Sequence, residues 1–210
     1  MPPVNPANPS PPPDDRSKTP PSLLRLVVQR DASAVASALR QGEDPNVRTA
    51  DDQGGGYTPL IMAARNDDVA MVNLLLDYNA DINAATNFGQ TALLEAASQR
   101  KADVVEVLLA RGADTESMNR FGMNALLTVC SNSKQARSLE VAAALLRGKA
   151  DPNIESRTRF TALMYAAFEG NEAMVRLLLS YGALRVVDDS RLTARALAAS
   201  SGHYHLVPLL

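Results

Sequence analysis

The sequence predicts an all-α fold: a solenoid of stacked helix–turn–helix units, preceded by a proline-rich tail. The first observation is a recurring turn. Asp44-Pro45-Asn46, Asp81-Ile82-Asn83, Asp114-Thr115-Glu116 and Asp151-Pro152-Asn153 stand 37, 33 and 37 residues apart, and Leu184 takes the same place 33 residues on. The second is a helix-capping residue in step with it: Thr58, Thr91, Asn124, Thr161 and Thr193 are spaced 33, 33, 37 and 32. A period near 33 with occasional insertions marks a stacked repeat. The third is composition. The 210 residues are 46% apolar, enough for a core, yet include no Trp, four Phe and five Tyr. The core must therefore be built from Leu, Ala, Val and Met.

Residues 1–21 hold nine of the 13 prolines. Proline lacks an amide proton and fixes φ, so neither helix nor sheet is expected there. The spacings Pro6/Pro9 and Pro9/Pro12 lack a following basic residue, and the second meets Asp14. A disordered or polyproline-like spacer is the expectation.

The unit that follows is readable residue by residue. Thr58 offers its hydroxyl to the first free amides of a helix, and Pro59 sits where its missing N–H costs nothing. Leu60, Ala63 and Ala64 make a short apolar face, and paired alanines let the next unit approach closely. After a polar break at Arg65 to Asp68, Met71, Val72, Leu75 and Leu76 form the apolar stripe of a second helix. Asn79 ends it, in the place of Gly112 and Gly182, and both residue types tolerate the left-handed conformation. Two such helices cannot bury themselves alone, so units must stack.

These motifs resemble the ankyrin-repeat family. Tyr57-Thr-Pro-Leu-Ile-Met-Ala-Ala64 is close to its T-P-L-H-x-A-A signature, and Thr91 to Ala97 and Thr161 to Ala167 follow it. Leu-Leu-x-x-Gly-Ala-Asp at 108–114 and Gly202-His203 match its end and middle. The resemblance implies β-hairpin-like fingers between units and a 22–210 domain of six repeats, at roughly 22–52, 53–85, 86–118, 119–155, 156–187 and a short 188–210. The departures are specific. Ile61, Leu94, Leu127 and Met164 replace the signature His; Lys149 replaces the helix-ending Gly, with Gly148 one place early. Arg159 and Arg191 replace the finger Gly of Gly56, Gly89 and Gly122, and Arg195 stands where Leu is expected. The last unit stops at Leu210 inside its expected second helix. One insertion falls in the first finger, with Asp51, Asp52 and Gly54-Gly55-Gly56, and the other at Ser131 to Ser138. Loops carry additions cheaply and often hold function.

No constellation for catalysis is visible, and no cofactor or metal is expected. Gly54-Gly55-Gly56 lacks the Lys-Ser/Thr of a phosphate loop. One Cys and two His cannot fill a closed zinc site without carboxylates. Cys130 is expected to be a small semi-buried residue, and His203 a structural one. The net charge of −2 argues against nucleic acid as main partner. No apolar run reaches 18 residues, and no signal or import sequence is seen. A monomeric, intracellular, cytoplasmic or nuclear protein is expected.

Function is therefore sought on the surface, as a protein–protein interaction module or adaptor. Register puts Phe88 and Phe121 at one finger position, Tyr57 and Phe160 just before helix caps, and Phe168 at the concave end of a first helix. These aromatics trace a stripe, flanked by Arg120, Arg157, Arg159 and Arg191. Aromatics and Arg are enriched at binding hot spots, so this concave and finger surface is the expected site for a protein partner. Sealing of neighbouring fingers is the alternative role for Phe88 and Phe121. The alternative for the whole chain is the ankyrin targeting or regulatory part of a larger protein whose effector domain lies beyond Leu210.

Overall fold

The structure, a computed structural model, describes residues 22–50, 55–185 and 193–210. The proline-rich tail lies outside the described residues. The helices run in antiparallel pairs: α1 (Ser22–Val28) with α2 (Ala32–Arg40), α3 (Pro59–Arg65) with α4 (Val69–Asp77), and α5 (Ala92–Ser98) with α6 (Ala102–Ala110). α7 (Ala125–Cys130) pairs with α8 (Ser138–Arg147), and α9 (Ala162–Glu169) with α10 (Glu172–Ser180). After α11 (Ala194–Ser200) comes a single 3₁₀ turn, Tyr204–Leu206, where a second helix was expected. Pro208 lacks the amide that a continuing helix would need there.

The caps explain where helices start. Thr58, Thr91, Asn124, Thr161 and Thr193 each accept, through a side-chain oxygen, the amide three residues on, at 3.3, 3.2, 2.9, 3.3 and 3.1 Å. Each such bond stabilises its helix by about 1 kcal/mol. Asp31, Asp68 and Asn171 cap α2, α4 and α10 in the same way. Helices end in the left-handed region at Asn79, Gly112, Lys149 and Gly182, with φ of 62°, 86°, 69° and 85°.

Two rows result. First helices stack as α1, α3, α5, α7, α9 and α11, and second helices as α2, α4, α6, α8 and α10. Ala63-Ala64, Ala96-Ala97 and Ala166-Ala167 are fully buried between neighbours, with Val129-Cys130 in the corresponding place of α7. Val72, Leu75, Val105, Leu108, Leu145, Val175 and Leu178 fill the space behind them. Ile61, Leu94, Leu127 and Met164, at the signature His position, are buried too. Among the described residues, no aromatic side chain is buried.

The turns join units. Asp44, Asp81, Asp114 and Asp151 each accept the amide two residues on, at 2.8, 3.0, 2.9 and 2.9 Å. That holds the next side chain outward. Asn46, Asn83, Glu116 and Asn153 then accept the amides of Asp81, Asp114, Asp151 and Leu184 in the following unit, at 2.7, 2.9, 3.0 and 2.8 Å. The recurring Asp-x-Asn is thus a local turn and a staple between units.

The fingers close more loosely than the expected hairpins. Among the described residues there is one isolated antiparallel bridge, Ala85 with Thr91. A polar side chain at the finger base takes amides that a strand ladder would use. Thr86 Oγ1 accepts from Phe88 and Gln90 at 3.3 and 3.1 Å, and Asn119 Oδ1 from Phe121 and Met123 at 2.9 and 3.1 Å.

The insertion before α8 is fastened from both sides. Arg100 is buried, donates to the carbonyls of Ser98 and Asn132, and reaches Ser138 Oγ at 3.2 Å. From the other side, Asn171 Nδ2 donates to Ser133 O at 2.9 Å. Asp51, Asp52 and Gly54 of the other insertion lie outside the described residues.

Candidate interaction surface

The finger tips are built by register and close backbone approach. Asn87, Arg120 and Arg157 share one finger position, Phe88, Phe121 and Thr158 the next, and Gly89, Gly122 and Arg159 the third. Asn87 N–H donates to Gly55 O at 3.1 Å, and Arg120 N–H to Phe88 O at 2.8 Å, tying finger to finger. Gly122 has φ 70°, and a Cβ there would lie 2.3 Å from Arg157 Cγ of the next finger. Glycine is needed for both reasons. Arg159 takes the same left-handed conformation, φ 62°, and pairs with Glu155 at 3.4 Å.

This geometry brings Phe88, Arg120 and Phe121 together. The Arg120 guanidinium carbon lies 3.7 Å from the Phe88 ring centroid and 4.7 Å from that of Phe121. The two rings share a position in the repeat, and the cation sits against both. Cation–π attraction of this kind contributes about 0.5–1 kcal/mol at an exposed site. Phe121 remains 62% exposed, while Phe88 is half-buried.

The other aromatics divide. Tyr57 and Phe160 are half-buried and pack against the core. Arg65 lies 5.9 Å above the Tyr57 ring. Phe160 meets Tyr165 with ring centroids 5.1 Å apart, and the Tyr165 hydroxyl points at Met123 Sδ, 3.7 Å away. Phe168, near the end of α9, is 50% exposed. Arg157 is exposed beside Gly122, and Arg191 lies outside the described residues.

One row escaped the sequence reading. Met62, Glu95, Thr128 and Tyr165 fall four residues after successive caps, on the first helices. Glu95 is buried, accepts Gln99 Nε2 at 2.6 Å and Gln90 Nε2 at 3.4 Å, and stands 3.6 Å from Arg65. Counting four residues from each cap finds this row, but its mixture of Met, Glu, Thr and Tyr carries no single compositional signal.

Cys130 is fully buried rather than semi-buried, and burial pushes its thiol up to about 12. It sits on the stacking face of α7, where a neutral thiol packs as a small apolar group. His203 packs its ring over Gly170, where a Cβ would lie 2.5 Å from the imidazole. Among the described residues, no three His, Cys, Asp or Glu converge to hold a metal, and no helix is long and apolar enough to cross a membrane. A groove of about 850 Å³ lies on the row of second helices between α8 and α10, lined by Leu139, Ala143, Ala173 and Leu177 among others. None of the finger residues lines it.

Comparison with known proteins agrees with this architecture. The family model for ankyrin repeats in three copies matches residues 24–119, 111–183 and 127–210. The crystal structure of EF0377, an ankyrin repeat protein, is similar at 26% identity and a TM-score of 0.77, covering 89% of this chain and 94% of that one. No curated protein matches the sequence. Matches to solved structures number 557 chains, so the architecture is widely reused and does not itself name a partner. The chain belongs to the ankyrin-repeat family, whose repeats generally serve as protein-interaction modules.

Proposed function

We propose that the chain is a non-enzymatic adaptor that docks a protein partner on its fingers and on the concave face formed by its first helices. The supporting observation is the Phe88–Arg120–Phe121 cluster. In a molecule whose described core holds no aromatic, two phenylalanines and an arginine gather at adjacent finger tips, with Phe121 62% exposed. Exposed rings beside a guanidinium are what binding hot spots are made of. Phe168 and Arg157 extend the surface, while Tyr57 and Phe160 stiffen its base. The module works as a monomer inside the cell, where its lone cysteine needs no partner.

The test is a double substitution in the full chain, Phe88→Ala with Phe121→Ala. Affinity for a protein partner should fall about tenfold or more, as for a loss of about 1.4 kcal/mol. The melting temperature should move little, because Phe121 is largely in solvent. A drop of several degrees with partner affinity intact would make the rings a seal between fingers.

A further inference from the structure

Resting on that reading of the finger surface, we propose that the Arg120 guanidinium is the seat for a carboxylate, and that the partner presents an acidic segment to it. Arg120 differs from most arginines of the described stack in its partners. Among the described residues, Arg111 pairs with Asp77, Arg137 with Glu140, Arg147 with Glu106, and Arg159 with Glu155. Arg30, Arg48 and Arg100 spend their donors on backbone carbonyls. The side chain of Arg120 makes neither kind of bond among the described residues. Its contacts are the two rings, at 3.7 and 4.7 Å.

A stacked guanidinium is prepared for one kind of ligand. The two rings lie against its guanidinium carbon, and its N–H groups have no acceptor among the described residues. A planar fork of donors accepts a carboxylate through two parallel hydrogen bonds, which a point-like ammonium cannot reproduce. The rings also hold the long side chain in place, so less conformational freedom is lost on binding.

The neighbouring finger repeats the offer. Arg157 occupies the same finger position, lies along Gly122, and has no hydrogen-bond acceptor among the described residues. Two guanidinium groups without an acceptor among the described residues, on adjacent fingers, suit an extended segment carrying more than one Asp or Glu. Nucleic acid suits them less well. A phosphate backbone needs a long track of cations, whereas Arg159 beside them is already paired with Glu155 and the chain carries a net −2.

The experiment titrates the full chain with hexaglutamate and follows the Arg120 side-chain Nε–H resonance by NMR, with hexaglutamine and hexauridylate as the other two ligands. Hexaglutamate should shift that resonance saturably, and hexaglutamine should leave it still. Arg120→Gln should weaken hexaglutamate binding about fivefold or more, with Arg120→Lys recovering only part of the loss. Circular dichroism checks that both variants keep the helical fold. A stationary Arg120 resonance, equal affinity in wild type and Arg120→Gln, or hexauridylate binding as tightly as hexaglutamate each overturns the proposal. A partner lost on Phe88→Ala with Phe121→Ala but retained by Arg120→Gln leaves the docking surface standing and removes the carboxylate seat.

Discussion

Lys149 and Gly148 show how much a single φ angle decides. Lys149 ends α8 in the left-handed region at φ 69°, where Gly112 and Gly182 serve other units at 86° and 85°. A side chain in that conformation costs about 1–2 kcal/mol relative to glycine. Gly148, one place earlier, is glycine for a different reason: a Cβ there would lie 2.8 Å from Leu109 Cδ2 of the preceding unit. The displaced glycine in the sequence is therefore kept for close approach, and the strain falls on Lys149. Lys149→Gly is expected to stabilise the fold by about 0.5–1 kcal/mol, after allowing for the looser unfolded chain. Gly148→Ala should bring no such gain. The urea midpoint at constant slope measures both. The substitution at 149 was plain in the sequence, but the Leu109 contact that explains it is 39 residues away.

Within an element, the same letters do two tasks. The Asp-x-Asn turn was legible as a local hydrogen-bonding turn, and Asp81 does accept the Asn83 amide at 3.0 Å. Asn83 Oδ1 in turn accepts the Asp114 amide at 2.9 Å, so removing it loosens one unit from the next. Asn83→Ala is expected to cost about 1 kcal/mol, the net worth of one hydrogen bond whose donor water can reach. The drop in urea midpoint reads it, and an unchanged midpoint would leave the staple without energetic weight. The helix caps were fully legible, since a cap and its amide lie three residues apart. The insertion at Ser131 to Ser138 was legible as a loop but not as a clamped one. Arg100 and Asn171 hold it from units on either side.

Across the whole molecule, stability follows the stack. Each unit touches only its neighbours, so central units are supported on two sides. α5 and α7 each pack between two first helices, whereas α11 packs on α9 and a single 3₁₀ turn. Amide hydrogen exchange is expected to be slowest in α5 and α7 and faster in α11. Cys130, fully buried in α7, should be labelled by a thiol reagent only as the central units open. Uniform exchange along the chain, or prompt labelling, would contradict a stack held by neighbour contacts. At this scale, the sequence alone determined the repeat, its helix pairs, its caps and an aromatic-free core. Those depend on interactions a few residues apart and on an apolar pattern that a period of 33 repeats. The tertiary structure alone decided which aromatics face solvent, that Phe121 is exposed while Tyr57 and Phe160 pack on the core, and that Arg120 lies against two rings. The Arg120–Phe88 contact joins residues about a full repeat apart. Register says which positions are neighbours, but the tilt and offset between fingers, set by packing of the helices beneath, decide whether neighbours touch or leave a side chain free.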